Sequence, residues 1–369
     1  MIVTVGHSYL LYYFIVISTY IIVNISARVS RTNYTKLGKI IFYLAILIPW
    51  IIASNRYGIG TDYYNYEKMY YNITNFGSIL ESIINSSYEP GWIILNYVVK
   101  YIFNNEVKYI FVISSLLILF FNFSAIYTYR KRINMSIAIF ILMCTLYNPS
   151  FNIIRQSLAM AILLFSLKYI DEKKVLKFIL LVVLAGSFHY SAFIFVPVYW
   201  VLNNNYYNFW SKFKIFVFYL LFILIVVQFE PLFNSLINVG VFSKYNIYEI
   251  NSNGSIGIGN IIVRLPVILI ILLNLKELRK KDPFMGGVTV LYFISLILYF
   301  LGYKADYLAR IAVTFEMMQI FILSSIIRSQ NDLSRKYLYY LLIILYYFIY
   351  FTYFILMGNY GETIPYITK

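Results

Sequence analysis

Cysteine and histidine are nearly absent from this chain, with one of the first and two of the second in 369 residues. Cys144 stands alone inside an apolar run, which excludes a disulfide framework. His7 and His189 lie far apart in the sequence, so the ligand sets of zinc sites cannot be assembled from them. No metal and no cofactor is expected. Charge is scarce as well: Asp, Glu, Lys and Arg make up 12% of the residues, against about 25% in an ordinary soluble domain. Acidic residues are the scarcer sign, 15 against 30 Lys+Arg.

What fills the chain instead is apolar: 61% of residues are hydrophobic and 20% aromatic. So few charges cannot cover so much apolar surface in water, which excludes a soluble globular protein. The same hydrophobicity excludes a disordered one. The composition therefore predicts an all-α, polytopic integral membrane protein, one multi-pass domain over 1–369. In a soluble protein the formal net charge of +15 would suggest nucleic acid. In a membrane protein it is first an orientation signal, and no nucleic-acid partner is expected.

A spanning helix needs about 20 mostly apolar residues. Runs at 9–27, 37–54, 108–128, 134–150, 153–170, 214–229, 260–275, 286–302, 308–327 and 337–357 meet this requirement. The run at 88–103 is apolar but short. That at 174–202 is too long for one helix and is interrupted near Gly186, His189 and Pro197. Together they predict about 12 transmembrane helices. No Lys or Arg precedes the first run, so it is expected to stay as a helix rather than be cleaved as a signal peptide.

Lys and Arg collect at 28–39, 130–132, 168–177, 212–214, 276–281 and 328–336. With these loops cytoplasmic, the N-terminus lies outside, together with 55–107, 148–152, 303–307 and the C-terminus. A second outer loop falls at 230–259. This alternation leaves no room for a full crossing by 88–103, so 73–103 is expected as a re-entrant or interfacial helical element on the outer face. Within 174–202, either two short crossings or a hairpin dipping from the inside fits the charges.

A smaller group of charges remains inside or beside the spans. Arg155 opens one span, Arg264 lies within another, Arg310 begins a third, and Arg56 follows Trp50 into the first outer loop. A charge in hydrocarbon costs at least about 2.5–3.5 kcal/mol. Four arginines towards one face therefore point to an anion site there, and the planar guanidinium suits phosphate oxygens. Each has a plainer reading. Asp306 stands four residues before Arg310, an ion-pair spacing, and Arg56 could anchor the interface. Arg155 and Arg264 have no acid at helical spacing. Glu316 is expected to partner a cation or line a polar cavity.

His189 interrupts an apolar run among small residues and is a candidate proton acceptor, or a hydrogen-bonded structural residue. Asp62 could orient an acceptor hydroxyl or cap the helix that follows it. Tyr57, Tyr63, Tyr64 and Tyr66 supply flat amphipathic faces suited to sugar rings or to the headgroup level; 40 tyrosines in the chain make chance clustering the rival account. The Gly-rich 254–259 follows no strand, so a nucleotide-binding reading is weak.

Several strings in order resemble one known family. They are Arg56-x-Gly58-x-Gly60-Thr61-Asp62-x-x-x-Tyr66, Glu89-Pro90-Gly91-Trp92, Ile154-Arg155-Gln156-Ser157-Leu158-Ala159 and Phe188-His189-Tyr190-Ser191-Ala192, followed by the Arg310 helix. The chain is similar in these marks, over about 50–320, to the EpsG-like, Wzy-type bacterial polysaccharide polymerases. The resemblance implies an inner-membrane enzyme that joins undecaprenyl-diphosphate-linked repeat units into a capsule, exopolysaccharide or O antigen at the outer face. A flippase and a chain-length regulator are the protein partners it implies. On that reading Arg155, Arg264, Arg310 and Arg56 would neutralise the departing diphosphate. His189 or Asp62 would take the proton of the attacking hydroxyl, and the tyrosines of 57–66 would hold sugars. A flippase for lipid-linked oligosaccharide is the main alternative from another class, although no internal repeat is evident. An O-antigen-type ligase is a second, and a membrane O-acyltransferase lacks paired histidines.

Overall fold

The computed structural model describes residues 4–31, 34–203, 258–302 and 306–368. The expected span at 214–229 and nearly all of the second outer loop lie outside them. Among the described residues every regular element is a helix, and Arg56 and Thr368 form an isolated antiparallel bridge. Among the described residues, six helices are long and apolar enough to cross a membrane: Val5–Val29, Thr35–Asn55, Lys108–Thr128, Pro283–Leu301, Leu308–Ser329 and Leu333–Met357. Shorter apolar helices cover Met135–Tyr147, Val175–Phe188 and Tyr190–Leu202. This is a helical membrane protein. The chain forms two compact units, Met1–Phe195 with Leu323–Lys369, and Val196–Ile322.

In the first unit, α1 (Val5–Val29) is followed by α2 (Thr35–Leu44) and α3 (Leu47–Asn55), which make one apolar rod with a turn at Ala45 and Ile46. Three short helices come next: α4 (Tyr63–Thr74), α5 (Ile79–Asn85) and α6 (Pro90–Ile102). The longest of them has 13 residues, about 20 Å of helix against about 30 Å of hydrocarbon. They are tied to one another by hydrogen bonds. The Tyr97 hydroxyl contacts the carbonyls of Phe76 (2.8 Å) and Ser78 (3.0 Å), and Lys100 caps the end of α4 through the Thr74 carbonyl at 2.6 Å. Ser78 and Glu81 start α5 reciprocally: Ser78 accepts from the Glu81 amide and Glu81 from that of Gly77.

The interior of this unit is α8 (Met135–Leu142) with the π turn Met143–Tyr147, and α9 (Ile154–Asp171). All eight residues of α8 are buried, as expected of a helix apolar on every side. The helix α7 (Lys108–Thr128) packs on α9 through small residues, with Ser114, Ser115 and Ser124 of α7 and Ala159, Ala161 and Ser166 of α9 all buried. The outward faces of α1, α2 and α16 (Leu333–Tyr350) stay apolar and exposed, for example at Leu10, Ile40 and Leu341, which suits lipid.

The two ends of this unit differ in chemistry. At one end, Ser26 Oγ donates to the Gly38 carbonyl, the Asn134 amide donates to that of Ser324, and Arg132 pairs with Asp171. The basic clusters of 28–39, 130–132 and 168–177 gather there. At the other end, the C-terminal residues fold back over the start of α1 and the loop after α3. The Tyr12 hydroxyl donates to the Thr363 carbonyl at 2.9 Å and the Tyr57 amide to that of Ile367 at 2.9 Å. Asn152 joins the two loops, donating to the Gly361 carbonyl at 2.9 Å and accepting from Thr61 Oγ1 at 3.3 Å. Gly60 and Gly361 have φ of +97° and +82° and abut Asn152 where a Cβ would stand, so only glycine fits at either position.

The second unit contains α11 (Val198–Leu202), α12 (Ile258–Lys281), α13 (Pro283–Leu301) and α14 (Asp306–Glu316). Asp282 starts α13 by accepting from the Met285 amide at 3.0 Å, with Pro283 in the first turn. Helix α15 (Gln319–Ser329) continues the chain.

Glu106 and Lys131 are both exposed and flank opposite ends of α7. In a Cys144→Ser background, Glu106→Cys and Lys131→Cys are therefore expected to react with a membrane-impermeant maleimide from opposite sides of the membrane. Labelling of both from the same side would contradict the crossing.

Candidate functional site

Within the run at 174–202, residues 175–195 fold as a hairpin. Helix α10 (Val175–Phe188) ends at His189, whose extended backbone (φ −156°, ψ 117°) stops it, and the 3₁₀ segment Tyr190–Phe195 returns alongside. Gly186 lets the Phe193 ring lie against the helix, and Phe178 meets Phe195 at 6.3 Å between ring centres. His189 is thus at the tip, held by its amide to the Ala185 carbonyl and by its own carbonyl to the Ala192 amide, each 3.0 Å.

The tip meets the start of α6. A Cβ on Gly91 would stand 2.8 Å from the Ser187 carbonyl oxygen, so glycine there lets the two chains touch. Glu89, the residue that begins α6, does not cap its own helix with its side chain. Its carboxylate is buried, at 6% exposure, and one oxygen, Oε2, pairs with Arg155 Nη1. The other, Oε1, lies 3.4 Å from His189 Nδ1. Arg155 is also within hydrogen-bonding reach of the Tyr66 hydroxyl, and its Nε is buried without a partner. Burial alone would push the Glu89 carboxyl up. The nearby His189 imidazole and the charge of Arg155 outweigh it and hold the group below the usual carboxylate range.

The structure therefore brings together Arg155, His189 and Tyr66, three of the residues singled out from sequence, around a fourth that was not. In the sequence Glu89 stands out only as part of the Glu-Pro-Gly-Trp string. A carboxylate in an apolar, acid-poor chain just before a helix-starting proline was the signal available. Asp62 stands one turn before Tyr66, near enough for its charge to add to the burial that raises the Tyr66 phenol. Its side chain accepts from Asn65 Nδ2 at 3.2 Å, and it starts α4 without a side-chain cap bond.

The four tyrosines separate. Tyr57 is half-buried and Tyr64 exposed, so their faces are accessible. Tyr63 is buried and stacked on Phe111 at 4.4 Å, and Tyr66 is buried edge-on to Trp92 at 5.6 Å. These two serve packing and, for Tyr66, the Arg155 cluster.

Arg56 is buried as well. Its guanidinium lies over Phe151 (4.4 Å) and Phe111 (5.2 Å), and Nη1 donates to the Ala53 carbonyl at 2.8 Å. Among the described residues no carboxylate forms an ion pair with it. The cation is held by ring faces, an interaction that strengthens when water is excluded.

In the second unit, Arg264 and Glu316 make a two-pronged pair, Nε to Oε1 at 2.6 Å and Nη2 to Oε2 at 3.0 Å. The Tyr299 hydroxyl donates to Oε2 at 2.5 Å, and the guanidinium lies 3.8 Å from the centre of the Tyr299 ring. Glu316 thus partners a cation, as read from sequence. Arg310 is exposed on α14, four residues after Asp306, whose side chain lies outside the description.

These features define a polytopic helical membrane protein with buried cations, each held by acids or aromatic rings, and a polar cluster at the end away from the basic loops. The model of the EpsG family matches residues 39–368, nearly the whole chain, and the protein belongs to that family. The family is associated with glycosyltransferase-like polysaccharide polymerases. Neither the curated proteins nor the solved structures contain a match to the chain.

Two predictions follow from these pairs. Glu89 has a folded-state pKa below its ordinary 4.5, so its contribution is fully present above that value and is lost as pH falls through the folded one. The melting temperature of the protein in detergent should exceed that of Glu89→Gln at neutral pH, and the gap should close below pH 4.5. A constant gap would contradict the ion pair. For the second pair, Arg264→Ala alone leaves a largely buried carboxylate without its cation, though still hydrogen-bonded to Tyr299, which costs up to about 3 kcal/mol. Arg264→Leu with Glu316→Leu should recover most of that stability.

Proposed function

We propose that the protein is a polymerase that joins undecaprenyl-diphosphate-linked oligosaccharide repeat units at the outer face of the bacterial inner membrane. In this reading there are about 12 crossings with the N-terminus outside, and α4–α6 form the interfacial element on the outer face. The gathering of basic loops at one end of the first unit, with the N-terminal, 56–61, 148–152 and C-terminal segments at the other, supports that orientation.

The observation that carries the activity is the convergence of His189 and Arg155 on Glu89 at the outer end, where a lipid diphosphate would lie. The acceptor hydroxyl at the non-reducing end of one repeat unit attacks the anomeric carbon of the growing chain. The bond from that carbon to the diphosphate oxygen breaks, and undecaprenyl diphosphate departs with the electron pair. The proton of the attacking hydroxyl passes to the His189 ring, with Asp62 as the other candidate acceptor. Arg155, with unspent donors beside Glu89, stabilises the negative charge developing on the leaving group. The family resemblance implies the same role for Arg264 and Arg310, which belong to the second unit, while the Arg56 guanidinium is held on Phe111 and Phe151. Tyr57 and Tyr64 offer their faces to the glycan. A flippase and a chain-length regulator would supply the substrate and limit the product.

Deletion of the gene, with complementation by variants expressed at equal level, tests this reading on a gel of surface polysaccharide. Loss of a polymerase leaves single repeat units, whereas loss of a flippase removes the glycan altogether. His189→Ala and Arg155→Ala are expected to reproduce the single-unit pattern, with long chains reduced at least a hundredfold. Full-length polymer from both variants would overturn the assignment.

A further inference from the structure

We infer that Glu89 is a positioning residue that fixes the protonation pattern of His189, leaving the Nε2 atom of the ring as the accepting nitrogen. The inference rests on the polymerase reading for its consequence, but the geometry behind it is independent of substrate.

Glu89 is placed by its neighbours on all sides. Pro90 begins α6 directly after it, and the Glu89 carbonyl accepts from the Ile93 amide at 3.0 Å, so the backbone is set by the helix. The side chain turns away from that helix. Arg155, which can only donate, claims Oε2, and this leaves Oε1 facing His189 Nδ1 at 3.4 Å. Nδ1 is itself buried with no other hydrogen-bond partner among the described residues, so this carboxylate oxygen is the acceptor that faces it. An ionised carboxylate can only accept, so it selects the form of the neutral imidazole in which Nδ1 bears the hydrogen. Nε2 then carries the lone pair, on a ring that is 29% exposed and so open to an incoming hydroxyl. The backbone bonds on either side of His189, and the contact of Gly91 with Ser187, keep the ring from drifting away from the carboxylate. Arg155 thus acts on the base through Glu89 as well as on any anion through its remaining donors.

The two histidines make this directly measurable. His7 lies at the start of α1, its ring bonded to Thr4, outside the cluster. In a His7→Gln variant of the full-length protein, labelled with ¹⁵N-histidine and held in detergent at mildly alkaline pH, His189 is the sole labelled imidazole. Its nitrogen chemical shifts are expected to report hydrogen on Nδ1 and a bare Nε2. With Glu89→Gln, Arg155 should claim the amide oxygen and turn the –NH₂ towards Nδ1, which reverses the pattern and puts the hydrogen on Nε2. Glu89→Asp should restore the original pattern at least in part. The same pattern in the parent and in Glu89→Gln, both eluting as folded protein, would overturn the inference.

Polymer output separates the two claims. If the shifts reverse as expected but His189→Ala still makes long chains, the positioning stands and the base assignment fails. If His189→Ala makes only single units while the shifts ignore Glu89, the assignment stands and the positioning fails.

Discussion

An ion in hydrocarbon keeps its charge only where protein supplies what water would have supplied, and in this chain that requirement decides which residues meet. The carboxylate of Glu89 is the clearest instance. It is buried in an acid-poor protein, and it is stable as an anion because Arg155 and His189 approach it from two other elements. Those approaches set the position of the α10 hairpin tip against α6 and of both against the first turn of α9. Arg264 and Glu316 solve the same problem in the second unit with a two-pronged pair under Tyr299. Arg56 solves it without an acid, between two aromatic rings. The abundance of aromatics and the scarcity of acids are therefore linked features of one composition.

Much of the architecture was legible because apolar length and loop charge are properties of contiguous sequence. The run at 108–128 coincides with α7, and the interruption at Gly186 and His189 is the turn of a hairpin. The charge alternation alone leads one to expect an element over 73–103 that does not cross in full, and short helices lie there, at Ile79–Asn85 and Pro90–Ile102. Other details depended on packing and were not legible. The rod at 35–55 contains a turn, and the run at 134–150 ends in a π turn before a 3₁₀ turn.

The site was legible in its residues and illegible in its pairings. Arg155 and Arg264 were read as having no acid at helical spacing, which is true, since their acids come from 66 and 52 residues away. Spacing along one helix sees only local neighbours. The tyrosines show the same limit. Tyr63 and Tyr64 are adjacent, yet one is stacked in the interior and the other exposed, because an amphipathic ring serves either place equally well. Membership of the EpsG family fits the ordered motifs, and the geometry gives the Glu-Pro-Gly-Trp string a physical role: an acid, a helix start and a glycine that allows contact with the hairpin.

The central claim is that Glu89 and His189 work as one unit in chain elongation. A double-mutant cycle on polymer output from complemented cells measures this directly, using Glu89→Gln, His189→Gln and the two together at matched expression. Residues that act as a unit show strongly non-additive losses, so the double variant should be no worse than the more severe single one. Losses that multiply would mean that the two residues contribute independently, and would contradict the account.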